Sequence, residues 1–264
     1  MRIFKAIIQH RHLLVNIVKR DIKTRYTGSA LGIFWSIINP IIMLLVFTFV
    51  FSVIFKIKIM QYGQEQGFLE YFLCGFLPWL AFQEGVVKST TVIVENSNLV
   101  KRVKFPSELL IVSTVVSTFL LQLIGFAIFI AVLAITGKIE KGSLFLLLPL
   151  VLVLQVFFTT GLAYLFSGIQ VFFRDISQIV QFLFSVWFYA TPIFYSMSMV
   201  PEQFKTIMAI NPVTHLIEIY RSLILLGRLP GWSVFLYPCL FGAVIFLLGG
   251  RVFYRLKPAF DDYL

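Results

Sequence analysis

Six long apolar runs, separated by short polar segments, dominate the pattern of hydrophobic and polar positions along the chain. The first run contains no ionisable side chain from Leu31 to Phe55. A helix of that length is about 37 Å long, which exceeds the ~30 Å hydrocarbon core of a bilayer. Because hydrocarbon offers the backbone no hydrogen-bond partner, a run that crosses it must be helical. The pattern predicts six spans, at about residues 31–55, 69–94, 109–135, 144–166, 177–195 and 235–254.

Two segments between or before these runs have the pattern of surface helices. Within residues 1–27, apolar residues recur at helical spacing and basic residues occupy the other side, which predicts an amphipathic helix on the cytoplasmic membrane surface. Residues 96–105 begin with three good N-cap residues and are followed by Pro106, which can open the next helix. This stretch predicts a short cytoplasmic helix between two spans.

Residues 200–228 have a pattern that fits neither a loop nor a span. Pro201 and Pro212 divide the stretch into two parts, each too apolar for a solvated loop and too short to cross a bilayer. Two short helices that enter the outer leaflet and return explain both properties. Such backbone is tolerated only where protein or a watery cavity surrounds it.

Composition supports a membrane protein and sets its direction. Of the 264 residues, 59% are hydrophobic and 13% charged, whereas soluble domains carry about 25% charged residues. The net charge of +10 comes from clusters beside apolar runs, which indicates contact with lipid headgroups and disfavours nucleic-acid binding. An even number of spans places both termini on the same side of the membrane. Lys and Arg are twice as frequent on the side with the termini, which predicts that both termini are cytoplasmic.

Motifs for catalysis or nucleotide binding are absent from the sequence. No phosphate-binding loop of the form G-x-x-x-x-G-K-[ST] occurs. His10, His12 and His215 are too scattered for a metal site, and Cys74 and Cys239 lie inside apolar runs as small hydrophobic residues do. We therefore expect no catalytic residue, no metal and no cofactor in this chain, and an outside source of energy for any transport.

One charged pair lies inside a predicted span. Glu84 and Lys88 stand four residues apart on one helical face, where they can neutralise each other. A structural ion pair is the favoured interpretation, and a proton relay is the alternative.

Five motifs in register resemble the membrane subunits of type-two ABC exporters for polysaccharides, which export O-antigen, capsule or teichoic acid chains. They cover essentially the whole chain. The motifs are RDIKTRY at 20–26 with GSALG at 28–32, NLVKRVKFP at 98–106, FRDI at 173–176, TPIFY at 191–195, and Asn211-Pro212 with Arg221.

This resemblance implies an architecture and partners. It implies an all-α homodimer of six-span subunits in the bacterial inner membrane, with two copies of an ABC ATPase that bind ATP and Mg. It makes residues 96–105 a coupling helix in a groove of the ATPase, residues 200–228 external gate helices, and the N-terminal helix an interface element. The candidate coupling residues are Asn98, Leu99, Val100, Lys101, Arg102 and Phe105.

Aromatic residues make up 17% of the chain. Most are expected to face lipid or to form interfacial belts. A glycan passage also needs flat apolar faces and weak hydroxyl partners, which Tyr and Trp supply. The candidate channel residues are Trp35, Phe47, Phe51, Trp187, Tyr189 and Tyr195.

Glu218 and Arg221 share one face of a short apolar segment. They form either a local pair that lets the helix enter the leaflet, or a gate at the external mouth.

The main hypothesis is a permease subunit that moves lipid-linked polysaccharide, driven by the partner's ATP hydrolysis. One alternative is an exporter of small molecules, drugs or lipids from the same superfamily. Another is a membrane-embedded transferase acting on a lipid-linked glycan, for which Asp175 with Glu84 are the nearest acidic candidates.

Overall fold

The computed structural model describes residues 2–25, 31–54, 58–61, 64–103, 105–138 and 142–264. Most of these residues are helical. The helices are α1 Arg2–Gln9, α2 Arg11–Thr24, α3 Trp35–Phe47, α4 Phe68–Glu95, α5 Ser97–Val103, α6 Glu108–Ile135, α7 Leu148–Gln170, α8 Ile176–Tyr189, α9 Glu202–Ile210, α10 Pro212–Ile224, α11 Trp232–Leu256 and α12 Phe260–Tyr263. Short 3-10 segments lie at Gly32–Phe34, Gly142–Leu147, Met197–Met199 and Lys257–Ala259, and a π-helix at Thr48–Ile54.

Three helical stretches are long and apolar enough to cross a membrane, within the described residues. They are Glu108–Ile135, Leu144–Gln170 and Trp232–Tyr263. Helix α4 has 28 residues and would be about 42 Å long, but it carries charges within and near its ends. Shorter apolar helices occupy Ile37–Phe51 and Ile176–Tyr189. The predicted class, a helical membrane protein, is confirmed.

Two short antiparallel strands lie in the chain between the π-helix Thr48–Ile54 and α4, where no strand was predicted. Strand β1 (Lys58–Gln61) pairs with β2 (Gln64–Gly67), with Lys58 opposite Gly67. Each strand has only four residues, too few for an alternating pattern to stand out. Phe55, the end of the first predicted span, lies outside the described residues.

The fifth predicted span extends to residue 195, whereas α8 ends at Tyr189. Pro192 accounts for the difference. It lacks an N–H, and it also disfavours a helical conformation for Thr191 before it. The chain therefore leaves the helix and continues as irregular backbone into the next segment.

The predicted N-terminal helix is two helices, because the chain breaks at His10 between α1 and α2. Ile17 and Val18 are buried, while Ile8 and Val15 are exposed. Only part of the predicted apolar face therefore packs against the bundle.

Helix α11 packs most extensively against α7. Glycines make this close approach possible. A Cβ atom on Gly249 would lie 2.0 Å from the Gly161 carbonyl oxygen, and one on Gly161 would lie 2.7 Å from the Phe246 Cα. Small residues that let backbones approach are typical of helix contacts in membranes.

An aromatic cluster joins α4 to α8 in the core. The rings of Trp79 and Phe82 on α4 lie against Phe184 and Trp187 on α8, with centroids 5.1 to 6.2 Å apart. Offset and edge-to-face contacts of this kind stabilise beyond their buried area. They hold α8 against the bundle on one side only.

Two groups of elements lie at opposite ends of the bundle. At the first, which we call the α5 end, a cavity of about 440 Å³ lies between α5 and the segment from Tyr254 to Asp261. At the second, the α10 end, Lys138 after α6 forms an ion pair with Glu70 at the start of α4. The candidate functional residues lie at both ends.

Candidate functional site

Arg221 lies on α10, almost all of which is buried among α4, α7 and α11. The Arg221 side chain is itself buried, with 1% of the residue exposed. A buried guanidinium is costly unless its donors are satisfied. The surroundings of Arg221 supply the partners.

Four hydrogen bonds hold the Arg221 guanidinium. Nη1 donates to the Tyr71 hydroxyl at 2.8 Å and to the Pro192 carbonyl at 2.8 Å. Nη2 donates to the Ile193 carbonyl at 2.8 Å, and Nε to the Tyr71 carbonyl at 3.3 Å. The guanidinium carbon also lies 3.5 Å from the centroid of the Tyr71 ring. We call Arg221, Tyr71, Pro192 and Ile193 the Arg221 cluster.

The Arg221 cluster compensates for the early end of α8. Helix α8 ends at Tyr189, so the carbonyls of Pro192 and Ile193 lie outside its backbone hydrogen-bond pattern. Arg221 donates a hydrogen bond to each of them. The Tyr71 hydroxyl in turn donates to the Tyr195 carbonyl at 3.0 Å. A single cation therefore stabilises irregular backbone inside an apolar bundle. Backbone polar groups away from water need such partners within the protein.

Gly75 makes room for this arrangement. A Cβ atom at Gly75 would lie 3.0 Å from Arg221 Nη2 and 3.0 Å from a methyl of Ile217. The motifs include Arg221 and the 191–195 stretch, but nothing in the sequence identifies Tyr71, which lies 150 residues away. The Thr191-Pro192 helix stop is the signal that free carbonyls would need a donor.

Glu218, one turn before Arg221, is half-buried. Its carboxylate acts electrostatically on the guanidinium. The structure places Arg221 within the subunit, held by α4 and the 191–195 segment. Whether the pair also serves as an external gate stays a prediction.

The side chains of Tyr220 and Asn211 also anchor α10. The Tyr220 hydroxyl donates to Gln155 Oε1 at 2.7 Å, and Gln155 Nε2 donates to the Pro78 carbonyl at 2.7 Å. At the start of α10, the Asn211 side chain accepts from Val213 N and from Trp187 Nε1, each at 3.0 Å. The amide of Asn211 also donates to Thr191 Oγ1 at 2.9 Å. Helix α10 is thus fixed to α4, α7 and the end of α8.

The six candidate channel aromatics do not form one surface. Phe47 and Phe51 stack on each other at 5.9 Å and pack against α4, and Trp187 belongs to the core cluster with Trp79. Trp35 lines a crevice beside Asn39 and Gln122. The Tyr195 hydroxyl donates to the Tyr189 carbonyl at 2.8 Å, and Tyr189 is 66% exposed. In this subunit, Tyr189 is the most open of the six to a passing ligand.

The candidate coupling residues divide by exposure. Asn98 and Lys101 are exposed, Leu99 and Phe105 are half-buried, and Val100 is buried in the apolar core. The Arg102 side chain lies outside the described part of the structure. Asn98 and Lys101 are therefore the coupling candidates available to a partner, whereas Val100 holds α5 to the bundle.

A buried ion pair lies directly after α5. Glu108, the first residue of α6, is 5% exposed and accepts from Lys257 Nζ at 2.5 Å and from the Tyr254 hydroxyl at 3.2 Å. The Tyr164 hydroxyl on α7 donates to the Glu108 carbonyl at 3.4 Å. We call these four residues the Glu108 cluster. It joins the α5–α6 junction to α7 and α11, and the sequence shows no sign of it because its members are distant in the chain.

The predicted pair of Glu84 and Lys88 is present, with Nζ and Oε1 2.7 Å apart. Glu84 also forms an ion pair with Arg25 and accepts from Gln122 Nε2 at 2.9 Å. These contacts fix the end of α2 to α4 and α6, which favours the structural interpretation.

Asp21 on α2 lies against α6 at the same contact. Burial raises the pKa of its carboxyl above the ordinary value of 3.8, and hydrogen bonds from Arg20 and Ser113 act in the opposite direction. Together with Arg25, it makes α2 an integral part of the α5 end.

Residues 12–225 match the ABC-2 type transporter family. This match covers more than half of the chain, from α2 to the end of α10. The chain belongs to the ABC-2 type transporter family. The resemblance carried by the five motifs is confirmed. The family match includes the Arg221 cluster, Glu108 and α5.

Curated relatives match nearly the full length of the chain. The O-antigen export system permease protein RfbA of Klebsiella pneumoniae is 30% identical over 252 residues, which cover 96% of this chain and 95% of that protein. The protein of the same name from Myxococcus xanthus is 30% identical over 232 residues, covering 87% and 86%. The polysialic acid transport protein KpsM of Escherichia coli is 22% identical over 231 residues, covering 87% and 88%.

Proposed function

We infer that this chain is the membrane subunit of an ATP-driven exporter that moves lipid-linked polysaccharide, of the O-antigen kind, across the bacterial inner membrane. The observation that carries the inference is the near-full-length match to relatives named for O-antigen export and for polysialic acid transport. Helical stretches long and apolar enough to cross a bilayer agree with a multi-pass permease.

The proposed topology has six spans with both termini in the cytoplasm. The spans correspond to α3 with the following π-helix, α4, α6, α7, α8 and α11. Helix α8 has 14 residues, about 21 Å, so the irregular 190–196 segment completes its crossing. The Arg221 cluster supports this assignment, because it satisfies backbone that would otherwise be stranded in hydrocarbon.

The proposed assembly is a homodimer with two ABC ATPase chains. ATP and its Mg ion bind to the ATPase, and this chain contributes no catalytic residue and no cofactor of its own. The Klebsiella pneumoniae relative is named a permease protein, which agrees with the role of a transport subunit. The α5 end would face the ATPase, with Asn98 and Lys101 at the contact.

The structure suggests how force from the ATPase reaches the spans. Helix α5 ends at Val103, and Glu108 follows five residues later. A displacement of α5 therefore acts on Glu108. The ion pair to Lys257 then carries the displacement to α11, and the Tyr164 hydrogen bond carries it to α7. Since α7 and α11 are packed with almost no space between them at Gly161 and Gly249, they move together.

Helices α9 and α10 are the proposed gate at the outer end. Of the two, α9 has no buried residue, whereas α10 is anchored in the bundle by Tyr220 and Arg221. Glu218 and Arg221 would therefore control the gate through the position of α10 and the 191–195 segment.

The two alternatives are less well supported. An exporter of small molecules, drugs or lipids would share the family, but the three relatives described are named for polysaccharide transport. A transferase that used Asp175 together with Glu84 would need both carboxylates free for catalysis, and Glu84 is held by Arg25, Lys88 and Gln122.

The coupling contact is tested by a double substitution, Asn98→Asp with Lys101→Glu. Both side chains are exposed, so the free energy of unfolding should change by less than about 0.5 kcal/mol each. At the ATPase contact, however, the change reverses the local charge, and like charges across an interface cost several kcal/mol. We expect the ATPase to copurify poorly and its hydrolysis rate to lose its dependence on this subunit, measured in proteoliposomes.

Lys101→Arg is the matched control, because it retains the charge and should retain coupling. Normal copurification and normal stimulation of ATP hydrolysis by the double variant would remove α5 from the contact with the ATPase.

A further inference from the structure

The cavity at the α5 end lies where two of the proposed spans reach the cytoplasmic surface. Its volume is about 440 Å³, which is within the range of small-molecule sites. Helix α6 begins at Glu108 and α11 ends at Leu256, and residues next to both ends line the cavity. In the proposed topology, the cavity is therefore at the level of the lipid headgroups of the inner leaflet.

Ser107, in the wall of this cavity, has a hydroxyl without a partner. The residue is 0% exposed, and within the part of the chain that the structure describes its Oγ forms no hydrogen bond. A serine before a helix usually accepts from an N–H of the first turn. Here the backbone of Ser107 is already helical, with φ −55° and ψ −24°, and the side chain makes no such cap. Because an unpaired buried hydroxyl is costly, it indicates a missing ligand.

Positive charge surrounds the same hydroxyl. Lys257 lines the cavity, and only part of its hydrogen-bonding capacity is used by the Glu108 carboxylate. Lys101 also lines the cavity, is exposed, and forms no ion pair with the described residues. The positive end of the α6 macrodipole lies at Ser107 as well. A hydroxyl, two ammonium groups and a helix N-terminus together favour a phosphate group.

One carboxylate lines the cavity beside these cations. Asp261 is exposed and forms no ion pair among the described residues. Since Glu108 already neutralises Lys257, the remaining charges of Lys101 and Asp261 balance each other. A ligand with negative charge alone would be repelled by Asp261. The cavity therefore fits a zwitterion, with its anionic group near Ser107 and its cationic group near Asp261.

We propose that the cavity binds the headgroup of a phospholipid that carries both a phosphate and a primary ammonium group, as in phosphatidylethanolamine. The phosphate accepts from Ser107 and Lys257, and the ammonium donates to Asp261. The rings of Phe105 and Phe260, which also line the cavity, contact the glycerol and the first carbons of the acyl chains. The site rests on the proposed function through its topology, which places the α5 end at the inner leaflet.

A soluble phosphate compound with an amine shares the headgroup chemistry but lacks acyl chains. The position of the cavity, at the ends of two spans, favours the lipid. A side chain of the ATPase is the competing occupant, because Lys101 also lies on the surface proposed for that contact. Ser107 and Asp261 are not part of the proposed ATPase contact, and they therefore carry the tests.

The first test measures binding of a radiolabelled short-chain phosphatidylethanolamine to the assembled, delipidated exporter in detergent. Ser107→Ala and Asp261→Asn should each raise the Kd about fivefold. Asp262→Asn is the matched control and should bind like the wild type, because Asp262 is equally exposed but lies outside the cavity lining. Equal Kd values for all four proteins would overturn the proposal.

A second measurement separates ligand binding from helix capping. Without lipid, Ser107→Ala should unfold at the same temperature as the wild type, because its hydroxyl has no partner to lose. With saturating lipid, the wild type should gain more in melting temperature than the variant. A variant that melts lower than the wild type without lipid, and gains as much as the wild type with lipid, would overturn the proposal.

Competition experiments distinguish the sources of the headgroup. Short-chain phosphatidylcholine, whose methylated ammonium donates no N–H, should compete about tenfold more weakly than phosphatidylethanolamine. Free phosphoethanolamine should compete about a hundredfold more weakly, because it buries no acyl carbon. Competition by either compound as strong as that of phosphatidylethanolamine would overturn the assignment to this lipid.

Two controls identify the other outcomes. Weaker copurification of the ATPase with Ser107→Ala, at unchanged lipid binding, would make the ATPase the occupant and overturn the lipid site. Export by the wild type is measured in parallel, with the same preparation. A wild type that exports but binds no phosphatidylethanolamine defeats this site alone, whereas a wild type that binds the lipid but exports no polysaccharide defeats the proposed function.

Discussion

Replacing Arg221 with methionine is expected to abolish export and to lower the melting temperature of the detergent-purified subunit by about 10 °C. The substitution leaves the Tyr71 hydroxyl and the carbonyls of Pro192 and Ile193 without their donor inside an apolar bundle. Each hydrogen bond to a charged group contributes about 1.5–3 kcal/mol, and a domain of this size loses roughly 2–4 °C per kcal/mol. The measurements are export in cells and thermal unfolding of the purified protein.

Two further variants separate this explanation from a general loss of charge. Arg221→Lys keeps the cation but offers three donors from a single nitrogen instead of a planar fork, so it should retain partial stability and partial export. Arg251→Met removes an exposed cation on α11 and should be as stable as the wild type. A fully active Arg221→Met protein would show that the irregular segment after α8 needs no internal donor.

Breaking the ion pair between Glu108 and Lys257 is expected to separate ATP hydrolysis from export. Lys257→Met should reduce export at least tenfold while the partner continues to hydrolyse ATP, because the link from the α5–α6 junction to α11 is lost. The Glu108 carboxylate is left largely buried without its cation, so a loss of about 1–3 kcal/mol in stability should accompany the change. Export and ATP hydrolysis are measured in the same proteoliposomes.

The double variant Glu108→Gln with Lys257→Met tests whether coupling and stability are distinct. Removing both charges relieves the buried carboxylate, so stability should recover relative to Lys257→Met, but export should not. Lys138→Met is the matched control, since it breaks the Glu70 ion pair at the opposite end of the bundle. If Lys138→Met uncouples the exporter equally, the Glu108 cluster has no special part in transmission.

The long helices could be predicted because their signal is local. Helices α4 and α6 begin and end within one residue of the predicted 69–94 and 109–135, since charged and polar residues border each apolar run. The two helices within 200–228 also follow from local signals, in this case Pro201 and Pro212.

The remaining features depend on distant contacts. The partners of Arg221 and Glu108 lie up to 150 residues away, and no periodicity records which side chain a buried charge will meet. The exposed side of α8 could not be predicted from the sequence, for another reason. Trp187 and Tyr189 are both aromatic, and only the packing of Phe184 and Trp187 on α4 shows which side of the helix is turned outward. The roles predicted for the coupling, channel and gate residues remain predictions.

The most direct test of the central claim is translocation by the purified exporter. This chain and its ATPase partner are reconstituted in vesicles whose outer leaflet holds the lipid-linked polysaccharide, with the ATPase facing outward. The arrival of glycan in the lumen is measured by its protection from an added glycosidase. We predict that glycan becomes protected only when ATP, Mg, the ATPase and this chain are all present. Protection without ATP, or ATP hydrolysis by the intact wild-type assembly with no glycan entering the lumen, would contradict the assignment as a polysaccharide export permease.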